Sequence, residues 1–389
     1  MSANLQASWN YPTPVHFGPG RIRELPDACK ELGMGNPLLV TDPGIAQLPI
    51  LEAALEANQL ANIPTGVFSD VQANPNGQNV EQGVAAYRAG QHDGVIAFGG
   101  GSGIDAAKAI ALMVGQDRPL WDFEDVGSNW KRVNAKGVAP IIGVPTTSGT
   151  GSEVGRASVI LDEAAGVKRI IFHPTMLPSR VICDPELTVG LPAHITAAVG
   201  MDALSHNLEA ICAPGNHPMA DGIAAEGIRL VSEFLVRAVR YPDDIEARSA
   251  MMSASLMGAT AFQKGLGAMH SMAHVIGAQL HAHHGLINAV VMPYVLCANR
   301  TAVAEKLTRL SRYLDLPDPS FMAFLDWVLA LRNELGIPHT LDALGVQPEH
   351  IADFAPAAVL DPSTGTNPLP FGAAEFSDLF SNAIDGSLT

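Results

Sequence analysis

Two kinds of hydrophobic pattern divide the chain. In the first half, short apolar runs rich in β-branched residues alternate with stretches of helical period. The runs are PLLVTD (37–42), DGVIAFGGG (93–101), APIIGVPTT (139–147), RASVIL (156–161) and RVICDP (180–185); IAQLPILEAALEANQL and GIDAAKAIALMV lie between them. Several runs have no polar alternate, the pattern of strands covered on both faces. This alternation predicts an α/β domain with a mainly parallel sheet. After DPELTVGLP (184–192) strand signals nearly vanish, and Ala, Met and Leu recur at helical spacing over 193–213, 218–240, 244–263 and 268–281. The pattern predicts two domains, an α/β domain over 1–188 and an all-helical domain over 189–389. There is no fixed-period repeat and no low-complexity segment.

Composition narrows the classes of function. The chain of 389 residues is 47% hydrophobic and 16% charged, enough for two buried cores. A net charge of −16 argues against nucleic-acid binding and against adhesion to anionic membranes. The four cysteines form no C-x-x-C pair, so neither a disulfide framework nor a thiolate zinc site is expected. The N-terminal residues do not read as a signal peptide, no apolar run reaches membrane-spanning length, and the cytoplasm is the expected compartment.

Two glycine-rich loops follow predicted strands. In AFGGGSGIDAAKAI, Gly99, Gly100, Gly101 and Gly103 clear side chains from a strand–helix turn whose backbone N–H groups can face a phosphate. Ser102 adds a hydroxyl and Asp105 a carboxylate in the first helical turn. The loop is neither a P-loop nor the ordinary dinucleotide fingerprint, because here the acid precedes the glycines. Asp42, at the end of PLLVTD, would accept from a ribose 2′-OH and repel a 2′-phosphate, which points to NAD rather than NADP. A turn role in T-D-P-G is an equally open reading of Asp42. GVPTTSGTGSEVG (143–155) supplies further hydroxyls, including Thr146, Thr147 and Thr150. Two such loops at consecutive strand ends favour one ligand crevice at the carboxyl edge of the sheet.

The helical half carries a candidate metal site. GMDALSHNLEA places Asp202 and His206 four residues apart on one helix face, and GLGAMHSMAH repeats the spacing with His270 and His274. Polar pairs on faces of Met, Leu and Ala need partners when buried, and a cation supplies them. An HHG turn follows at 283–285. Asp with neutral imidazoles suits a divalent first-row ion, Fe(II) or Zn(II), and such a centre would act as a Lewis acid on an alcohol or carbonyl oxygen. Spacing alone does not choose among His281, His283 and His284.

GGGSGIDAAKAI, PTTSGTGSEV, GMDALSH, GLGAMHSMAH and HHGLINAVVMPYVL stand in the order and spacing of the iron-containing (group III) alcohol dehydrogenases, which the chain resembles over most of its length. The resemblance implies an N-terminal dinucleotide-binding α/β domain and a helical C-terminal domain, the dehydroquinate synthase-like fold. It implies Asp202, His206, His270 and His284 as metal ligands, with Fe(II) preferred and Zn(II) as the alternative. It implies His274 as a catalytic residue assisting proton movement. NAD contacts are implied for Asp42, Asn74, Gly100, Gly101, Ser102, Asp105, Thr146, Thr147, Thr150 and Lys168. His281 and His283 are left as bystanders. A homodimer or higher homo-oligomer is the expected assembly.

The expected activity is NAD-dependent, metal-dependent interconversion of a small primary alcohol and its aldehyde. Departures from the family pattern raise an alternative: Gly155 stands where Thr is usual, Leu369 where Arg is common, and Lys264 where relatives carry a small or amide residue. Lys264 could anchor an anionic hydroxy acid or semialdehyde, or could be a solvated helix-end lysine. A dehydroquinate-synthase-like lyase and a non-catalytic metal-binding protein are the remaining readings.

Overall fold

The structure, a computed structural model, describes residues 13–388. These residues group into two compact units, one of 13–147 and 151–190, the other of 148–150 and 191–388. The sequence pattern placed 148–150 within the α/β half; in the structure that short loop packs with the helical residues instead.

The first unit is built on a six-stranded sheet of β1 (Val15–Phe17), β2 (Leu38–Val40), β3 (Gly66–Phe68), β4 (Val95–Gly99), β5 (Ile141–Pro145) and β8 (Arg180–Cys183). The order is β1-β8-β5-β4-β2-β3 and every pairing is parallel. Helices α1 (Leu25–Glu31), α2 (Pro49–Leu60), α3 (Gly77–Ala89) and α4 (Gly101–Met113) cover it. The inner strands β2, β4 and β5 are apolar throughout because alternate residues enter different cores. Leu38, Val40, Val95, Ala97 and Ile141 pack with α3 and α4. Leu39, Ile96, Phe98, Ile142 and Val144 pack with α1 and α2.

RASVIL does not join this sheet. It forms β6 (Ala157–Asp162), paired antiparallel with β7 (Val167–Phe172) in a separate ribbon. Its partner lies four residues on, across a turn that Gly166 closes at φ +66°, so local pairing outcompetes a crossover to the sheet. The edge strands β1 (VHF) and β3 (GVF) are three residues long like β2 but lack its unbroken, buried apolar run, and so gave no signal in the sequence.

The second unit is helical: α5 (Ala193–Cys212), α6 (Pro218–Arg240), α7 (Ile245–Ala261), α8 (Ala268–Leu280), α9 (His284–Ala298), α10 (Arg300–Tyr313), α11 (Phe321–Glu334), α12 (Ile351–Leu360) and α13 (Ala373–Asp385). α5 is the central helix, buried without interruption from Thr196 to Cys212 and packed against α6, α7 and α9. Its polar residues are therefore removed from water and require internal partners. Among the described residues no single helix is long and apolar enough to cross a membrane.

Candidate metal and cofactor sites

Three helices of the second unit bring the histidines together. α5 carries Asp202, His206 and Glu209 at i, i+4 and i+7, one face of the helix. α8 presents His270 and His274 from its first two turns, and α9 begins at His284. The glycine after His284 has a physical reason: a Cβ on Gly285 would lie 2.4 Å from the Ala198 carbonyl oxygen and 2.9 Å from Asp202 Cβ. Only glycine lets α9 start against α5, and that approach brings His284 Nε2 to 3.7 Å from Asp202 Oδ1.

The donor atoms of Asp202, His206 and His270 lie within 4.8 Å of one another, all buried. The His206 and His270 rings stack with centroids 4.6 Å apart, and the His270 and His284 centroids are 5.4 Å apart. Hydrogen bonds set the tautomers. His206 Nδ1 donates to the Gly149 carbonyl at 3.3 Å, and His270 Nδ1 donates to Glu209 Oε2 at 2.6 Å. Each ring then presents an Nε2 lone pair for a cation. Burial pushes the His206 pKa down to about 4, so this imidazole is neutral at pH 7. Burial would lower His270 as well, but the Glu209 carboxylate outweighs it and its pKa lies above the ordinary value. One carboxylate and three imidazoles, two of them with the tautomer already fixed, suit a first-row divalent cation.

Glu209 was not singled out from sequence, yet it organises this centre. Besides His270 it accepts from the backbone N–H of Gly267 at 2.9 Å and of Met269 at 2.8 Å, capping the N-terminus of α8. The Asn367 side chain accepts from Ala268 N at 3.1 Å and pairs with the Asn299 amide, so it helps seat the same helix. A Cβ on Gly267 would meet the Glu209 and Asn367 oxygens at 2.9 Å, hence the glycine. The signal for Glu209 was its place three residues after His206 on a face of α5 that is apolar except for such groups.

His274, one turn beyond His270, donates from Nδ1 to Asp361 Oδ2 at 2.8 Å, and its ring stacks on His284 with centroids 5.5 Å apart. Burial alone would raise the Asp361 carboxyl; the His274 imidazole and the Ser363 N–H hold it below its ordinary value. Asp361 is 87 residues away in sequence, which no local pattern could connect. His281 and His283 are exposed, His281 in the left-handed region at φ +54° where the chain turns between α8 and α9.

Lys264 requires a correction. Expected as a possible substrate anchor or a solvated lysine, it is buried, and its ammonium lies 2.5 Å from Asp221 Oδ1 and 3.3 Å from the Ile211 carbonyl oxygen. It caps the C-terminal end of α5 together with Lys306, which bonds the carbonyls of Ile211, Cys212 and Ala213. Its charge is committed to the fold.

In the first unit the glycine and hydroxyl loops share the carboxyl edge of the parallel sheet. β2 and β4 are neighbours, and the chain leaves β2 towards β3 but β4 towards β5, in opposite directions; Asp42 and the Gly99–Gly103 loop follow these two strands at that switch point. Asp42 Oδ1 accepts from Gly44 N at 2.9 Å and Ile45 N at 3.0 Å, a turn that holds the carboxylate at the end of β2. Thr146 N donates to the Gly99 carbonyl, and a Cβ on Gly100 would lie 3.2 Å from Thr147 Cγ2, so the loops after β4 and β5 touch. Ser102 Oγ donates to the Ala73 carbonyl, which ties in the loop bearing Asn74. Gly100 caps α4 in extended conformation, and Gly101 opens the helix, whose first N–H groups a pyrophosphate could engage.

Asp105 faces inward. It accepts from Ser152 Oγ and from Val159 N at 3.0 Å, and lies 3.2 Å from the buried Lys108 ammonium. It anchors α4 to β6 whatever else it contacts. Lys168 lies on β7 opposite Leu161. Thr150 belongs to the short loop that joins the helical unit.

Comparison with known proteins accounts for nearly the whole chain. Residues 12–185 match the family described as iron-containing alcohol dehydrogenase, and residues 196–384 match the C-terminal part of the Fe-containing alcohol dehydrogenase family. A 4-hydroxybutyrate dehydrogenase from Cupriavidus necator is 39% identical over 385 residues, covering 96% of this chain and 99% of the relative. An NAD-dependent methanol dehydrogenase from Bacillus methanolicus is 33% identical, with 95% and 97% covered. The crystal structure of a 1,3-propanediol oxidoreductase superposes with a TM-score of 0.91 at 32% identity, covering 97% of this chain and all of that one.

Proposed function

The chain belongs to the iron-containing alcohol dehydrogenase family, and on that premise we propose that it interconverts a small primary alcohol and its aldehyde with NAD as hydride carrier. The observation that carries this reading is the buried cluster of Asp202, His206 and His270 donor atoms, with His284 beside it and two Nδ1–H groups already tied off. A divalent cation held there, Fe(II) in preference to Zn(II), would polarise the alcohol oxygen while NAD accepts the hydride.

The protein's own groups do the rest. Asp202, His206, His270 and His284 hold the cation. Glu209 and the Gly149 carbonyl keep two imidazoles in the ligating tautomer. His274, its Nδ1–H bound to Asp361, offers Nε2 to receive the alcohol proton and pass it on. Asp42, the Gly100–Ser102 loop, Thr146 and Thr147 take the dinucleotide, with Asn74, Asp105, Thr150 and Lys168 as the remaining contacts. The Asp42 carboxylate at the end of β2 favours NAD over NADP.

One observation favours a narrower substrate. The 39% identity to a 4-hydroxybutyrate dehydrogenase exceeds the 33% to the methanol enzyme, so an ω-hydroxy acid, itself a primary alcohol, is a second reading. The Lys264 ammonium is already paired with Asp221, which argues against it as the anchor. We also take the compartment to be the cytoplasm, in keeping with four free thiols, and the assembly to be a homo-oligomer. Protein stripped of metal, reloaded with Fe(II) or Zn(II) and assayed on methanol, 1,3-propanediol and 4-hydroxybutyrate with NAD and NADP tests the proposal. NADH formation restored by either ion supports it; no turnover with any of the alcohols overturns it. Preference for 4-hydroxybutyrate, retained in Lys264→Ala, decides for the second reading.

A further inference from the structure

Asn288 stands one helical turn after His284, so α9 repeats the i,i+4 arrangement that Asp202 and His206 make on α5 and His270 and His274 make on α8. It is fully buried. Its amide nitrogen lies 2.9 Å from Asp202 Oδ1, 3.3 Å from His270 Nε2 and 3.2 Å from His284 Nε2. A single side-chain atom thus touches a donor atom from each of the three helices. Its carbonyl oxygen is buried without a hydrogen-bond partner.

An NH2 group has two protons, and one carboxylate oxygen and two imidazole nitrogens face it here. The His270 Nδ1–H is spent on Glu209, so His270 Nε2 offers only its lone pair. When imidazole lone pairs are directed to a cation, the acceptor left for the amide is the Asp202 carboxylate, and that contact is also the shortest of the three. A buried carboxylate that ligates through one oxygen needs its position held by another group, or it swings between one-oxygen and two-oxygen binding.

We propose that Asn288 is a positioning residue of the metal centre: its amide N–H donates to Asp202 Oδ1 and fixes that carboxylate relative to the His270 and His284 imidazoles. The inference rests on the reading that these four residues hold a cation. Asn288 acts on the cation through Asp202 and does not ligate it. Hydrogen bonds of this kind, behind the ligands, are worth 10–100-fold in metal affinity.

The test measures metal binding to the full-length protein by chelator competition with Zn(II) and Co(II), and records the Co(II) absorption spectrum of each variant. Asn288→Ala should weaken both ions about tenfold, mainly through faster release, and leave the Co(II) spectrum unchanged in intensity. Asn288→Ser, which keeps a short hydroxyl donor, should fall between wild type and alanine. Circular dichroism of the metal-free proteins checks that each variant folds, and Asn288→Ser carries the test where the alanine variant does not. Affinity equal to wild type in the folded variants would overturn the proposal, because the amide would then be packing alone. A changed Co(II) spectrum would overturn it in another way, by showing that the amide oxygen is itself a ligand. Wild-type protein that binds neither ion, or His270→Ala binding as well as wild type, would instead remove the metal reading beneath it.

Discussion

Replacing Glu209 by glutamine separates the metal centre's scaffold from its ligands with the loss of one charge and no change of volume. The carboxylate serves three donors: Gly267 N and His270 Nδ1 on Oε2, and Met269 N on Oε1. Glutamine can keep an oxygen on only one side. If it faces Gly267 and His270, its NH2 meets the Met269 N–H, two donors opposed in a site that is 3% exposed. The bonds that remain lose their charge assistance, which distinguishes roughly 1.5–3 from about 1 kcal/mol, and the stranded N–H adds about 1–3 kcal/mol. The expected loss of folding stability is about 3 kcal/mol. His270 Nδ1–H is left with a neutral acceptor in place of a carboxylate, which weakens the hold on its tautomer and makes its Nε2 a poorer donor to a cation, so metal affinity should fall by about 10–100-fold. Urea unfolding of the metal-free protein measures the first quantity and chelator competition the second. Asp361→Asn is the control, since it breaks a comparable buried carboxylate–imidazole contact at His274, which is not among the proposed ligands; it should lower turnover and leave metal affinity unchanged. A Glu209→Gln protein within 1 kcal/mol of wild type and within twofold in metal affinity would refute the reasoning.

Three further outcomes follow from the same geometry. His284→Ala should lose bound metal on dialysis while His281→Ala and His283→Ala keep it, as read by elemental analysis; metal loss in either bystander would mean that the wrong imidazole of the H-A-H-H-G turn has been chosen. Asp42→Ser retains an acceptor for the Gly44 and Ile45 N–H groups but removes the charge, and should raise kcat/KM with NADP about tenfold or more; an unchanged NAD to NADP ratio would leave Asp42 as a turn residue only. Glu153, buried within the connection that follows β5, has its pKa raised by burial from 4.5 to about 7. The fold therefore holds a proton there that the unfolded chain releases, and the stability it confers is present below pH 4.5 and lost as pH rises through 7. That loss is worth about 3 kcal/mol. Glu153→Gln should accordingly raise Tm at pH 8 and leave it unchanged near pH 4.5, and an equal shift at both values would contradict the assignment.

Much of the protein was legible along the chain because its determinants are local. Strands covered on both faces read as unbroken apolar runs, and β2, β4, β5 and β8 fall inside the runs identified. Four helices of the second unit, α5 to α8, announced themselves by period. Asp202 with His206, and His270 with His274, are i,i+4 pairs that helix geometry alone puts on common faces. The resemblance of five ordered motifs to one family added the choice of His284, which spacing left open.

What tertiary structure decided are the relations between segments distant in sequence. RASVIL has the composition of a sheet strand, but its pairing with β7 depends on which partner is nearer in space. Lys264 carries the same charge as a substrate anchor would, and only the fold shows that Asp221 and the end of α5 hold it. Glu209 and Asn367 reach α8 from 58 and 99 residues away, Asp361 reaches His274 from 87, and Asn288 reaches Asp202 from 86. Each is a buried polar group whose partner is set by how helices pack, and no one-dimensional period encodes that. The ligating residue types belong to the sequence; the tautomers and the carboxylate position that would let them ligate belong to the packing around α5.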